Sequence, residues 1–255
     1  MKKRLTAIIA AVALLLCQSA KAQEAQMGIF NHVSLSAGIG LDGYGLEVAA
    51  PITSYLALRA GISALPHVKY KFDVDIDSDD PAFSNDEVEV EGKLNKKDWK
   101  VLLDIYPFGP ESSFRLTGGL FIGPEKLIEA YNTSQFLKPS EWGTAGVKLG
   151  DYRITSDEFG NVRADIKVKK VKPYVGIGVG RNVPKKRLSV TADFGVQFWG
   201  KPGVYTKAKD SFGDYYDKKL EKGDFDDDDA DKAFDIMSKI TVYPVISIRL
   251  CGRIF

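Results

Sequence analysis

Three things are scarce in this 255-residue chain. Cysteine occurs only as Cys17 and Cys251, histidine only as His32 and His67, and no apolar run outlasts the one from about Leu5 to Leu16. That run falls well short of the roughly 20 residues a spanning helix needs, so no helical membrane anchor is available. Only Cys251 lies beyond the N-terminal leader read below, which excludes an intramolecular disulfide and a cysteine metal cluster. An excess of charge is missing too. The 35 Lys and Arg against 34 Asp and Glu leave a net charge of +1, which argues against a general nucleic-acid binder.

What is present begins with a leader. Lys2, Lys3 and Arg4 precede the apolar run, and Ala20-Lys21-Ala22 is a small-x-small cleavage site. The pattern predicts a secretory signal peptide over residues 1–22, cleaved after Ala22, and a single domain over 23–255. A lipoprotein reading of Cys17 is disfavoured by Leu16 before it, where that processing wants a small side chain.

The rest of the chain alternates. At the C-terminal end, Val242, Pro244, Ile246, Ile248, Leu250 and Ile254 share one parity, and Tyr243, Ser247, Arg249, Cys251 and Arg253 share the other. This is a strand with one apolar and one polar face. Seven earlier segments show the same period of two. Leu35, Ala37 and Ile39 oppose Ser34 and Ser36; Tyr44, Leu46 and Val48 oppose Glu47. Leu56, Leu58, Ala60 and Ile62 oppose Arg59 and Ser63 in a third segment read as continuing through Phe72. Trp99, Val101, Leu103 and Ile105 oppose Asp98, Lys100, Asp104 and Tyr106, and Leu116, Leu120 and Ile122 oppose Arg115, Thr117 and Phe121. Val175, Ile177 and Val179 oppose Tyr174, with a phase slip near Lys169-Lys170 that implies a β-bulge. Val190, Phe194, Val196 and Phe198 oppose Thr191, Asp193, Gln197 and Trp199.

Asp42-Gly43 is a hairpin turn between the first two segments. The connections after the second, fourth and sixth strands are short, whereas those after the third, fifth and seventh are long. Short turns at one end and long loops at the other suit an outer-membrane barrel. A soluble sandwich would alternate as well, but with its apolar face inward. No lysine or arginine interrupts the apolar parity between strand ends, where it would cost about 2 to 4 kcal/mol at mid-bilayer. The expected fold is therefore all-β, an eight-stranded antiparallel up-and-down transmembrane β-barrel with long extracellular loops. The excursion from about Pro124 to Asp165 is expected to hold an extra hairpin turning at Phe159-Gly160-Asn161.

Inward parity places Glu47, Arg59, Asp104, Arg115, Asp193 and Arg249 in the lumen, three charges of each sign. Eight strands leave an interior just wide enough for side chains to fill. These residues form either a paired network that plugs the lumen or the lining of a narrow conduit for small polar solutes. A lipid-hydrolase reading needs a nucleophile beside a histidine. Ser63 and His67 share a face but stand about 13 Å apart at strand rise, so no catalytic residue is assigned and no enzyme activity or cofactor is expected. The acidic runs 73–80 and 224–231 lack the glycine and terminal glutamate of a calcium loop and read as solvated loops, although alternation through Val74 and Ile76 suggests a strand projecting beyond the membrane. Trp99 suits an interfacial girdle, inward Trp199 suits the plug, and residues 229–239 suit a short helix at the mouth.

Several adjoining pieces resemble the small outer-membrane β-barrel proteins of the OmpW and CarO type: LLDIYPF, FRLTGGLFIG, VKLGDYRI, KPYVGIGVG, LSVTADFGVQFWGKPGV and VYPVISIRLCGRIF. Together they span most of the chain from Trp99 onward. Members usually finish with an aromatic-x-Phe pattern on the lipid face; here Arg253 stands two before Phe255, on the inward parity. The resemblance implies an eight-stranded barrel in the outer membrane with a role in envelope maintenance or small-solute passage, and no catalytic residues. A terminal aromatic signal, Tyr243 with Phe255, would address the chain to the barrel-assembly machinery. Outer-membrane lipid and lipopolysaccharide are the expected surroundings, and a monomer the expected state.

Overall fold

A computed structural model describes residues 28–66, 69–78, 87–133, 145–149, 152–155, 161–209, 215–220, 236 and 238–254. The leader, Phe255, His67, the run 224–231 and the expected turn at Phe159-Gly160 lie outside them. The first strands in chain order are β1 (Ser34–Gly40), β2 (Gly43–Pro51), β3 (Leu56–Ala64), β4 (Lys69–Ser78), β5 (Glu87–Leu94), β6 (Lys97–Ile105), β7 (Phe114–Ile122) and β8 (Lys126–Asn132). They are followed by β9 (Ala145–Leu149), β10 (Tyr152–Thr155), β11 (Arg163–Lys167), β12 (Val171–Val179), β13 (Leu188–Phe198), β14 (Gly203–Lys209), β15 (Tyr215–Lys219) and β16 (Val242–Arg253).

Eight of these close a barrel in the order β1-β16-β13-β12-β7-β6-β3-β2. All its neighbours are antiparallel, and β1 seals against β16 with Ser34 opposite Arg253 and Gly40 opposite Ser247. Closure satisfies every strand edge within one chain. The period-two patterning decides which side chains face out. Along β6 exposed and buried residues alternate without exception, and the exposed ones include Trp99, Val101, Leu103 and Ile105. Exposed apolar side chains recur on the other strands, among them Leu46, Leu120, Val175, Val190 and Ile248.

The remaining strands form a second eight-stranded sheet, β10-β9-β4-β5-β8-β11-β14-β15. Much of what reads as long loops is thus ladder, and several of its strands prolong barrel strands past a short break. The Leu65 amide donates to the Lys96 carbonyl, carrying the β3/β6 pairing toward β4/β5. The Gly123 amide donates to Lys170, and the Val168 amide to Glu125, between β7/β12 and β8/β11. The third segment is not continuous to Phe72, for β3 stops at Ala64 just before Pro66, which has no N–H to give a ladder. Its continuation β4 reaches Ser78, so part of the acidic run 73–80 is strand. A register irregularity falls between Ile166 and Lys167, near the phase slip. An extra hairpin pairing is present within the excursion as β9/β10, with Tyr152 opposite Leu149. Ile236, Ser238 and Lys239 are helical.

Polarity separates the two sheets. The second carries cross-strand ion pairs, Lys69 with Glu91 at 2.7 Å, Lys71 with Glu89 at 2.8 Å, Lys126 with Asp165 at 2.7 Å and Lys207 with Asp217 at 2.6 Å. Asp217 also pairs with Lys167. The hydrogen bonds from Lys167 and Lys207 hold its carboxyl well below the usual carboxylate range, at about 2.

Candidate functional site: a charge-filled lumen

Inward parity turns one charged side chain from each of six barrel strands into the lumen: Glu47 from β2, Arg59 from β3, Asp104 from β6, Arg115 from β7, Asp193 from β13 and Arg249 from β16. They form a single network. Arg59 contacts Glu47, Asp104 and Asp193, each at 3.1 Å. Arg115 meets Asp193 at 2.5 Å and Asp104 at 3.7 Å, and Arg249 pairs with both Glu47 and Asp193. None of the six side chains is more than 4% exposed. Such burial is tolerable only when every charge is matched, because removing one partner strands the other in a poorly solvated space.

Backbone geometry makes room for it. The Arg115 guanidinium lies over Gly178, where an added Cβ would stand 2.5 Å from its Cζ. From there it donates to the Val179 carbonyl at 3.1 Å and to Gly180. Thr117 donates to Asp104 at 2.7 Å, using a further acceptor site on that carboxylate.

Parity alone does not reach the whole cluster. Lys100 binds Glu47 at 2.7 Å and Asp42 at 3.1 Å. Nearer the second sheet, Asp98 holds Lys172 at 2.7 Å and Lys96 at 3.0 Å. Asp98 and Lys100 occupy inward positions in the alternation, and so does Lys172, one residue inside the start of β12. Lys96 and Asp42 belong to connections and carry no parity signal. Alongside the ion pairs, Leu102, Phe121, Tyr174 and Val245 pack together, with the Phe121 and Tyr174 rings 5.2 Å apart.

Further side chains gather toward each end of the barrel interior. At the second-sheet end Trp199 stacks on Tyr243 at 4.5 Å and 8°, and the Lys96 ammonium stands 4.9 Å from the Tyr243 ring. The Tyr243 hydroxyl donates to the Leu41 carbonyl at 2.6 Å, so its ring is committed to the lumen mouth rather than to the outer face. At the other end the turn between β12 and β13 folds inward. Asn182 and Val183 are 1% and 2% exposed. The Asn182 amide donates to Asp104 at 2.5 Å and its oxygen accepts from Arg249 at 3.1 Å, while Val183 packs with Ala49, Ala57 and Tyr106. A short turn gives no sequence signal of pointing inward. Beside Asp42, Glu47, Lys100 and Arg249 a hollow of about 10 Å³ is left, room for about one water.

A catalytic pair is not assembled among the described residues. Ser63 is 2% exposed inside the barrel near the second sheet, and His32 precedes β1 at the opposite end. His67, the base considered for Ser63, lies outside the described residues.

The fold and lumen define a class: a small closed antiparallel β-barrel with an apolar exterior and a charge-filled core. No protein-family model and no curated protein sequence matches the chain. Among solved structures it is similar to CarO2 of Acinetobacter baumannii, at 16% identity and a TM-score of 0.47, over 87% of this chain and 98% of that one. It is likewise similar to Acinetobacter baumannii CarO, at 15% identity and a TM-score of 0.47, over 88% and 99%. A major outer membrane protein from Thermus thermophilus aligns at 13% identity and a TM-score of 0.33, over 87% and 98%.

Proposed function

We propose that the chain is an integral outer-membrane β-barrel protein, exported by residues 1–22, with a structural or surface-interaction role and a lumen closed by its charge network. The carrying observation is the inversion of polarity. Arg59, Arg115, Asp104 and Gln197 are almost wholly buried, while Ile39, Val175, Val190 and Ile248 are 52% or more exposed. In water that arrangement forfeits the hydrophobic driving force; in a bilayer it is what alternate lipid-facing residues require.

Filling of the lumen supports the closed reading over a conduit for small solutes, and the prolonged second sheet supports interaction through that end. In this reading the prolonged end faces the cell exterior among lipopolysaccharide, the short turns face the periplasm, and the barrel works as a monomer without cofactor or catalysis. The barrel-assembly machinery inserts it, with Phe255 as the terminal contact. Swelling of proteoliposomes in small sugars and salts tests the closed state. Vesicles holding the heat-modifiable, folded barrel are expected to swell no faster than empty ones, and swelling that follows solute size would replace the closed reading with a conduit.

A further inference from the structure

We infer that the outer wall where β11 passes into β12 holds a binding site for the phosphate groups of an anionic membrane amphiphile, built from Lys169, Lys170 and Lys201. The inference rests on the membrane reading above and gives it a specific lipid contact.

A hollow of about 430 Å³ lies there, lined by these three lysines with Lys167, Tyr205 and Glu125. Its position relative to the apolar band follows from the register. Val171 stands opposite Ile122, and Ile122 opposite Trp99, so these outward side chains form one row at the second-sheet edge of the barrel. The lysines begin one residue beyond that row. An amphiphile with its chains on the apolar wall would carry its headgroup to this level.

Several neighbouring lysines are already paired. Lys69, Lys71, Lys126, Lys167 and Lys207 on the second sheet each hold a carboxylate. Lys169, Lys170 and Lys201 are exposed, and among the described residues no carboxylate pairs with them. Neighbouring ammonium groups repel one another unless an anion lies between them. Lys167 is already engaged, paired with Asp217 and with its ammonium 4.5 Å from the Tyr205 ring, and so forms a fixed wall.

The backbone beneath is held in place. The Lys169 amide donates to the Trp199 carbonyl at 3.0 Å, and the Lys170 carbonyl accepts from Gly123 at 3.0 Å. Gly200 has φ +72°, and a Cβ there would lie 2.7 Å from the Lys169 stem. The glycine thus permits both the turn and the path of that side chain. Glu125 is the one carboxylate lining the hollow, and it opposes an anion.

The protein extracted in mild detergent from the outer membranes of an expressing host would be titrated with bis-phosphorylated lipid A, with its dephosphorylated form and with inorganic phosphate. The combined Lys169→Gln, Lys170→Gln and Lys201→Gln variant is expected to bind the phosphorylated lipid at least about ten-fold more weakly. Lys185→Gln, Lys186→Gln and Arg187→Gln at the opposite rim should leave affinity unchanged, and Glu125→Gln should raise it. Equal binding by wild type and the three-lysine variant would overturn the site, as would equal binding of the dephosphorylated lipid. Displacement of lipid by inorganic phosphate at similar concentration would overturn the amphiphile in favour of a soluble phosphoanion. A chain absent from the outer-membrane fraction would instead defeat the membrane reading beneath the inference.

Discussion

Arg59 and Asp193 lie 134 positions apart in the chain, and their side chains meet at 3.1 Å inside the barrel. The contact spans the lumen from β3 to β13, strands that are not neighbours in the closed sheet. Arg59→Ala leaves Glu47, Asp104 and Asp193 short of a shared cation, so the folded barrel should lose about 3 to 5 kcal/mol. Urea unfolding followed by tryptophan fluorescence measures it. In a double-mutant cycle with Asp193→Asn, the two losses should fall well short of adding.

Gly178 and Gly118 offer a paired test of packing. Ala at Gly178 collides with the Arg115 guanidinium, whereas at Gly118 the only heavy atom near an added Cβ is the Tyr174 carbonyl oxygen, 4.0 Å away. Gly178→Ala is expected to cost about 1 to 3 kcal/mol, and Gly118→Ala little. Equal effects in the same unfolding assay would argue that Arg115 is not held where the structure puts it.

Position along the outer wall should set the cost of a charge. Val175 lies mid-strand on β12 and Val171 at its start. Val175→Arg is expected to destabilise the bilayer-inserted barrel by about 2 to 4 kcal/mol and Val171→Arg by about 0 to 1. A flat profile, measured by folding into vesicles across a urea series, would contradict the lipid-facing assignment.

Acid should loosen the β14/β15 hairpin locally. The Asp217 carboxyl titrates at about 2 in the folded protein because Lys167 and Lys207 hydrogen-bond its anion. A depressed folded value means the stabilisation is complete above the unfolded value of 3.8 and is lost as pH falls from there through about 2. Protection of the Tyr205 to Lys209 amides, taken relative to their intrinsic exchange rates at each pH, should fall over that window. Asp217→Asn should lower that protection above the window and abolish its further fall within it.

The alternation made much of the barrel legible, because a period of two assigns a face to each strand residue. Glu47, Arg59, Asp104, Arg115, Asp193 and Arg249 all follow from it, although their role as a plug is a proposal. Elsewhere the same signal fails for physical reasons. Asn182 and Val183 sit in a turn, where side-chain direction follows backbone torsions rather than parity. The second sheet mixes charged and apolar residues without one clean face, so apart from the alternation through Ile76 and the expected hairpin its strands read as loops. Lys169, Lys170 and Lys201 lie at the breaks between the sheets, where no periodicity applies and only register brings them together.

Single-channel recording in planar bilayers tests the closed lumen most directly, with the wild type beside Arg59→Ala and Arg115→Ala variants. A plug held by paired charges predicts a silent wild type that is nonetheless folded and inserted, with openings confined to the variants. Steady wild-type openings whose size or selectivity shifts with Arg59 or Arg115 would contradict it and make the charge network the lining of a conduit.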